Sequence, residues 1–149
     1  MTRKAIRETL GFMAVVASLA FVGLETRQNT AALESAALQS LAELRIQIDV
    51  AAWTDETMPG VIARLRSGDT PDDFSADENQ RIRLWFFSYI RLVEAAYRQA
   101  GMGVVDESTT MTLKSGLFNL VYLREAWPSM RYNFAPAFAD FFESEFVGI

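Results

Sequence analysis

The side chains available for chemistry are few in kind. The 149 residues include no histidine and no cysteine. That removes the common zinc sites, Cys and His nucleophiles, thiolate-held iron–sulfur clusters, His-ligated haem and the Ser-His-Asp triad. It also removes disulfides, so cysteine usage says nothing of the redox compartment. Carboxylate, guanidinium, phenol and hydroxyl remain. Arg91 and Glu94 lie one helical turn apart beside a run of aromatic residues. They suit either a partly buried ion pair, with Arg124 or Glu125 as further partners, or a polar pocket for an anion. Pairing is the expectation, because arginine is the usual residue for ordering a buried carboxylate. Asp69, Asp72, Asp73, Asp77 and Glu78 crowd one stretch, and hard cations want several carboxylates. The spacing is not that of an EF-hand, and Asp77 and Glu78 suit the start of a helix. A solvated acidic loop is expected there. A carboxylate di-iron bundle would need Glu-x-x-His motifs, which a chain without histidine cannot supply. The sequence therefore predicts no catalytic residue, no metal site and no cofactor, and the chain is read as a non-enzyme.

The remaining candidates are places to dock. Arg27, Gln28, Asn29 and Thr30 follow directly on a long apolar run, where they could form a collar for a membrane partner. Alternatively, Arg27 snorkels and the amides are simply solvated. Within the run, Ala14 and Ser18 form a small-xxx-small pair that permits close helix contact.

These positions matter only if the run spans a bilayer. Thr9 to Leu24 carries no charge. Its 16 residues would make a helix of about 24 Å, short of a hydrocarbon core of about 30 Å. Counting from Ala5 reaches about 30 Å if Arg7 and Glu8 lie near the interface. Three readings compete: an anchor, a cleaved signal peptide with Ser18-Leu19-Ala20 as its small-residue site, and a buried core helix. The anchor is favoured because helix formers continue past the cleavage site without Gly-Pro punctuation. Arg3, Lys4 and Arg7 precede the span, while only Arg27 follows closely. That imbalance places the N-terminus in the cytoplasm and the rest outside it. The expected layout is a tip, anchor and collar over 1–29 and a helical domain over 30–149.

Past the collar, Leu33, Ala37, Leu41, Leu44, Ile48 and Ala51 recur at helical spacing and predict an amphipathic helix over 30–52. It could continue the anchor without a break, or restart at Asn29-Thr30. A short helix follows, with Met58, Val61, Ile62 and Leu65 on one side. Arg64 and Arg66 suit its C-terminal dipole, and Gly68 suits the position past its end. Ser75 and Glu78 form a capping box opening a helix over 76–100, with Ile82, Trp85, Phe86, Tyr89, Val93, Ala96, Tyr97 and Ala100 as its stripe. Arg83, Arg91, Glu94 and Arg98 form the polar face. Asp106 starts a fourth helix expected to reach Ala126, with Leu117 and Phe118 on its apolar surface, ended or kinked by Pro128. Pro136 suits the first position of a last helix over 136–146, with Phe134, Phe138, Phe141, Phe142 and Phe146 on one face. Aromatics concentrate beyond Trp85, so the core should lie between the third helix and the C-terminal third. No segment alternates as a strand would. The predicted class is all-α: an N-terminal transmembrane helix continuing into a small bundle of four to five helices.

With these features the chain resembles a group of short bacterial membrane-anchored proteins with no assigned activity. The resemblance lies in Val22-Gly23-Leu24 running into Arg27-Gln28-Asn29-Thr30 with Ala32-Leu33. It continues through Arg91-x-x-Glu94-x-x-Tyr97, Gly101 and Val105-Asp106, and closes with Arg124-x-x-Trp127 and Phe134-x-Pro136-x-Phe138. Pro128 directly after Trp127 departs from the pattern. The resemblance implies an all-helical domain behind one anchor.

A net charge of −5 argues against nucleic acid as a partner, since binding it needs a basic footprint. By elimination, the expected function is non-enzymatic: an accessory or scaffolding component docking to a membrane protein complex, held to the bilayer through residues 5–24. The alternative is a membrane-tethered sensor domain binding a small apolar or anionic ligand.

Overall fold

The computed structural model describes residues 3–114, 118 and 120–148. Among them the architecture is all-α, with no strand. Helix α1 (Arg3–Thr54) is followed by α2 (Met58–Ser67), α3 (Ala76–Gly101), α4 (Glu107–Thr112), α5 (Val121–Met130) and α6 (Pro136–Phe142). A π-helical turn, Glu143–Val147, extends α6, so the last helix covers nearly the span its proline and phenylalanines predict.

The 52 residues of α1 make a rod of about 78 Å. It is long and apolar enough to cross a membrane, and none of its apolar window is buried against protein. Asn29 and Thr30 do not interrupt it: the hydroxyl of Thr30 donates to the Thr26 carbonyl (3.0 Å) and that of Thr26 to Val22 (2.8 Å). Only the last turns of α1 meet the bundle. Leu41 packs with Leu92 and Ala96 of α3, and Ala52 joins the main core. This corrects the expected stripe. Ala37 and Ile48 are half-buried, Leu33, Leu44 and Ala51 are exposed, and Ala52 takes the place predicted for Ala51. A second helix touches α1 only toward its C-terminal end, so periodicity upstream has nothing to pack on.

Helix α2 buries Met58, Val61, Ile62 and Leu65 and ends on Gly68, whose φ of 100° is the left-handed position a glycine fills without a Cβ clash. The loop after it is tied by Asn79, which donates to the carbonyls of Pro71 (2.8 Å) and Phe74 (2.9 Å) and accepts from the Tyr122 hydroxyl (2.7 Å). The capping box opens α3: Glu78 N–H donates to Ser75 Oγ (3.3 Å) and Ser75 N–H to Glu78 Oε2 (2.8 Å).

The expected fourth helix is two helices. α4 stops at Thr112, and α5 starts after an extended Leu120. Leu117, expected on its apolar face, lies outside the described residues. Between the two helices Phe118 enters the core, edge-on to Tyr89, Phe142 and Phe146. A continuous helix would fix Phe118 to one register; breaking it lets this ring reach the centre. Pro128 does not end α5 at Trp127. The helix runs on to Met130, where the missing N–H falls in the last turn and leaves only the Arg124 carbonyl without its i+4 donor.

The phenylalanine face packs internally. Phe134, Phe138, Phe142 and Phe146 are buried and Phe141 is half-buried. Trp127 stacks on Phe134, and Phe142 on Phe146 at 5.1 Å. Tyr97 meets Phe141 at 4.7 Å and Phe138 at 5.6 Å.

Candidate functional site

Glu94, expected on the polar face of α3, is only 3% exposed. Oε2 accepts from Arg91 (2.6 Å) and Oε1 from Arg98 (2.7 Å). The expected partners Arg124 and Glu125 take no part; Arg124 instead donates to the carbonyl of Val147 at 3.3 Å. Arg91 also donates to the carbonyl of Asn133 (2.8 Å) and lies over the rings of Phe87 and Phe134, at 4.9 and 4.7 Å. Each feature has a reason. Phe87 and Phe134 meet at 5.2 Å and draw the chain before α6 onto α3. Two guanidiniums one turn away on either side satisfy the buried carboxylate. Each oxygen of this carboxylate is engaged by one guanidinium. The cluster clamps α3 to the α5–α6 connection.

The acidic loop has an internal counterion that the spacing alone does not reveal. Arg64, expected only as a charge at a helix C-terminus, donates to Asp69 (2.9 Å), Glu78 (2.9 Å) and the carbonyl of Asp73 (2.5 Å). It also lies 4.1 Å over the Phe74 ring. A second capping box joins Thr70 and Asp73. These contacts shift two carboxyl groups. The Ser75 N–H, its hydroxyl and Arg64 hold Glu78 below its ordinary value; the Thr70 N–H and hydroxyl, with Arg64, do the same for Asp73. Arg64 supplies one counterion to the loop, and among the described residues no group of three acidic side chains is arranged to hold a metal.

The docking candidates all lie on α1. Arg27, Gln28, Asn29 and Thr30 are exposed. Four consecutive residues advance by about 100° each, so they ring the helix instead of sharing a face. Ala14 and Ser18 are exposed on one side. Stepping on from them by alternating three and four residues gives Phe21, Glu25, Gln28, Ala32, Ser35, Gln39, Ala42 and Ile46, then Val50 and Trp53. Every one of these is exposed, as is every residue from Leu10 to Ala36, so the side distinguishes itself only past Ala37, where other residues are packed. The packed residues Leu41, Ile48 and Ala52 lie on roughly the opposite side. Ile46, Val50 and Trp53 are 60, 57 and 67% exposed, well beyond the apolar run. At the inner face of α1, Asp49 accepts from the Tyr89 hydroxyl. Burial first, then this carboxylate, pushes the Tyr89 phenol up to about 12.

No protein family, curated protein or solved structure matches this chain.

Proposed function

We propose that this chain is a non-enzymatic accessory or scaffolding component that docks to a membrane protein complex through α1. The observation that carries the reading is the row of exposed apolar residues Ile46, Val50 and Trp53, on a helix whose apolar run is itself uncovered by protein. Its small residues (Ala14, Ser18, Ala32, Ser35, Ala42) allow a partner helix to come close. Ile46, Val50 and Trp53 stand in water, where exposed apolar side chains in a row mark an interaction surface. Residues 5–24 lie in the bilayer in this reading. The excess of Arg3, Lys4 and Arg7 over Arg27 keeps the N-terminus cytoplasmic and the bundle outside. The collar at Arg27–Thr30 then sits at headgroup level, with Gln28 on the side of the row. Similarity to short bacterial anchored proteins in the Arg-Gln-Asn-Thr segment fits this arrangement and adds no activity.

Pull-down of the full-length chain from native membranes in mild detergent tests the proposal. The wild type should recover a defined set of membrane proteins, and Ile46→Glu with Trp53→Glu should lose them while remaining folded and membrane-bound. Recovery of the same set by the variant, or of nothing but the chain itself, would reject it.

A further inference from the structure

We propose that the partner of the Ile46–Val50–Trp53 row is the extramembrane part of a different membrane protein, an apolar strip with a lysine or arginine at its bilayer-side end. The proposal rests on the docking reading of α1 and gives it a height and a charge.

The height follows from the helix. α1 runs unbroken from Arg3 to Thr54 and holds no proline, so residue number measures distance along it. With residues 5–24 in hydrocarbon, Ile46 stands about 33 Å and Trp53 about 44 Å beyond its edge. A tilt of about 20° lowers Ile46 only to about 31 Å, and one of about 40° to about 25 Å. The headgroup layer takes up about 5–8 Å of that distance. Lipid therefore does not reach the row, and neither does a partner made of spanning helices with short loops. The bundle leaves the row open. Asp55 meets Arg81, Asp49 meets Tyr89, and Leu41 meets Leu92 and Ala96, so α3 descends antiparallel on the packed side of α1. Ile46, Val50 and Trp53 stay exposed along this whole stretch.

The charge separates a different protein from a second copy. An identical anchor would bring an identical row to the same height, with both copies pointing the same way. Each residue on the pairing side would then meet itself. Glu43 lies three residues before Ile46 and seven before Val50, on their side of the helix. Glu25 lies eighteen residues before Glu43, about five turns, and so on that side as well. Self-pairing would set Glu43 against Glu43 and Glu25 against Glu25, and like charges facing each other oppose association. Glu43 is exposed and, among the described residues, pairs with no cation; its Oε1 accepts from the Gln39 amide at 2.9 Å. Arg45 is turned instead to Asp49, at 3.8 Å. A partner that brings a cation to Glu43 and apolar side chains to Ile46, Val50 and Trp53 satisfies both.

Photo-crosslinking in native membranes tests the proposal, with p-benzoylphenylalanine in place of Trp53 in the full chain. Trp53 is 67% exposed, so the bundle tolerates the replacement. Irradiation should join position 53 to a protein other than this chain, at a residue outside that protein's membrane-spanning segments, as mass spectrometry of the adduct reads. Glu43→Lys in the same chain should lower the adduct yield by about fivefold or more, the scale of an exposed ion pair lost. Glu43→Gln should lower it less. An adduct to a second copy, to lipid or to a spanning segment would overturn the proposal, as would no adduct or a yield indifferent to Glu43→Lys. The pull-down with Ile46→Glu and Trp53→Glu reads the docking itself. Partners lost in that variant but crosslinked elsewhere than stated would leave docking standing and reject only the height and charge assigned here.

Discussion

Glu94 shows how burial changes the meaning of a residue. Its side chain is held by two arginines that are themselves largely in solvent, Arg91 at 43% and Arg98 at 63% exposed. Losing the carboxylate therefore leaves no buried cation behind. Glu94→Gln should cost about 1–3 kcal/mol, the scale of charge-assisted hydrogen bonds, and less than the about 3–5 kcal/mol of a fully buried pair. Chemical denaturation of the full chain in detergent measures it. Tyr89 makes a prediction with a defined sign. Its phenol is raised to about 12 in the folded state from an ordinary value of 10.0. A raised value means the folded state holds the proton more tightly. The stabilisation is complete below pH 10 and is lost as pH rises toward about 12. Tyr89→Phe should flatten that alkaline loss. At the other end, Asp55, Asp73, Glu78 and Asp106 are all lowered, chiefly by the hydroxyls and backbone N–H groups of the turns they cap. Their contribution is present above the ordinary carboxylate values of 3.8 to 4.5 and is lost as pH falls below them. Thermal midpoints taken across pH should decline at both ends, and the acid arm should survive in Tyr89→Phe.

Among the elements, α3 organises the rest, because α1, α4, the α5–α6 connection and the phenylalanine face all touch it. Its start is set by the Ser75 cap, so Ser75→Ala should cost about 0.5–2 kcal/mol. Glu78 would keep its bond to Arg64 at 2.9 Å, which points to the lower half of that range. A thermal midpoint equal to wild type would mean that Arg64 alone fixes the turn. The C-terminal helix has no such redundancy. Phe138 is buried against Tyr97, Phe134, Phe141 and Phe142, and Phe138→Ala should cost about 3–5 kcal/mol through the cavity it leaves. Equilibrium unfolding reads this directly, and a loss under about 1 kcal/mol would contradict the packing described for the face.

At the scale of the molecule, a rod of about 78 Å carries a bundle on its C-terminal end only, with its apolar window uncovered by protein. The proposed N-in topology is open to a clean test because the chain has no cysteine. Tyr132 is 89% exposed on the bundle. Tyr132→Cys should react with a membrane-impermeant maleimide in intact cells, and protection until lysis would reverse the orientation. The full chain should remain in membranes after carbonate extraction. A mature N-terminus at Phe21 would instead mark the segment as a signal peptide.

The sequence by itself determined the features that depend on neighbours along the chain. The uncharged run before Glu25, the Ser75–Glu78 cap, the glycine at 68 and the proline at 136 act within a turn or two. Their physics is solvation of the helix ends and backbone sterics, which one sequence contains. The all-α class and the inward phenylalanine face followed from the same periodicities. Tertiary structure alone decided what depends on which surfaces meet. Phe118 leaves the α-helical register because Tyr89, Phe142 and Phe146 surround a place for its ring, and that place exists only once α3 and the C-terminal helix are packed. Glu94 becomes buried only once other elements pack on α3. Arg64 becomes a counterion for residues 5 to 14 positions away, through contacts made only when the loop folds back. On α1, two faces carry apolar residues at helical spacing. Only the position of the bundle determines that Leu41 and Ala52 are covered while Ile46, Val50 and Trp53 stay in contact with water.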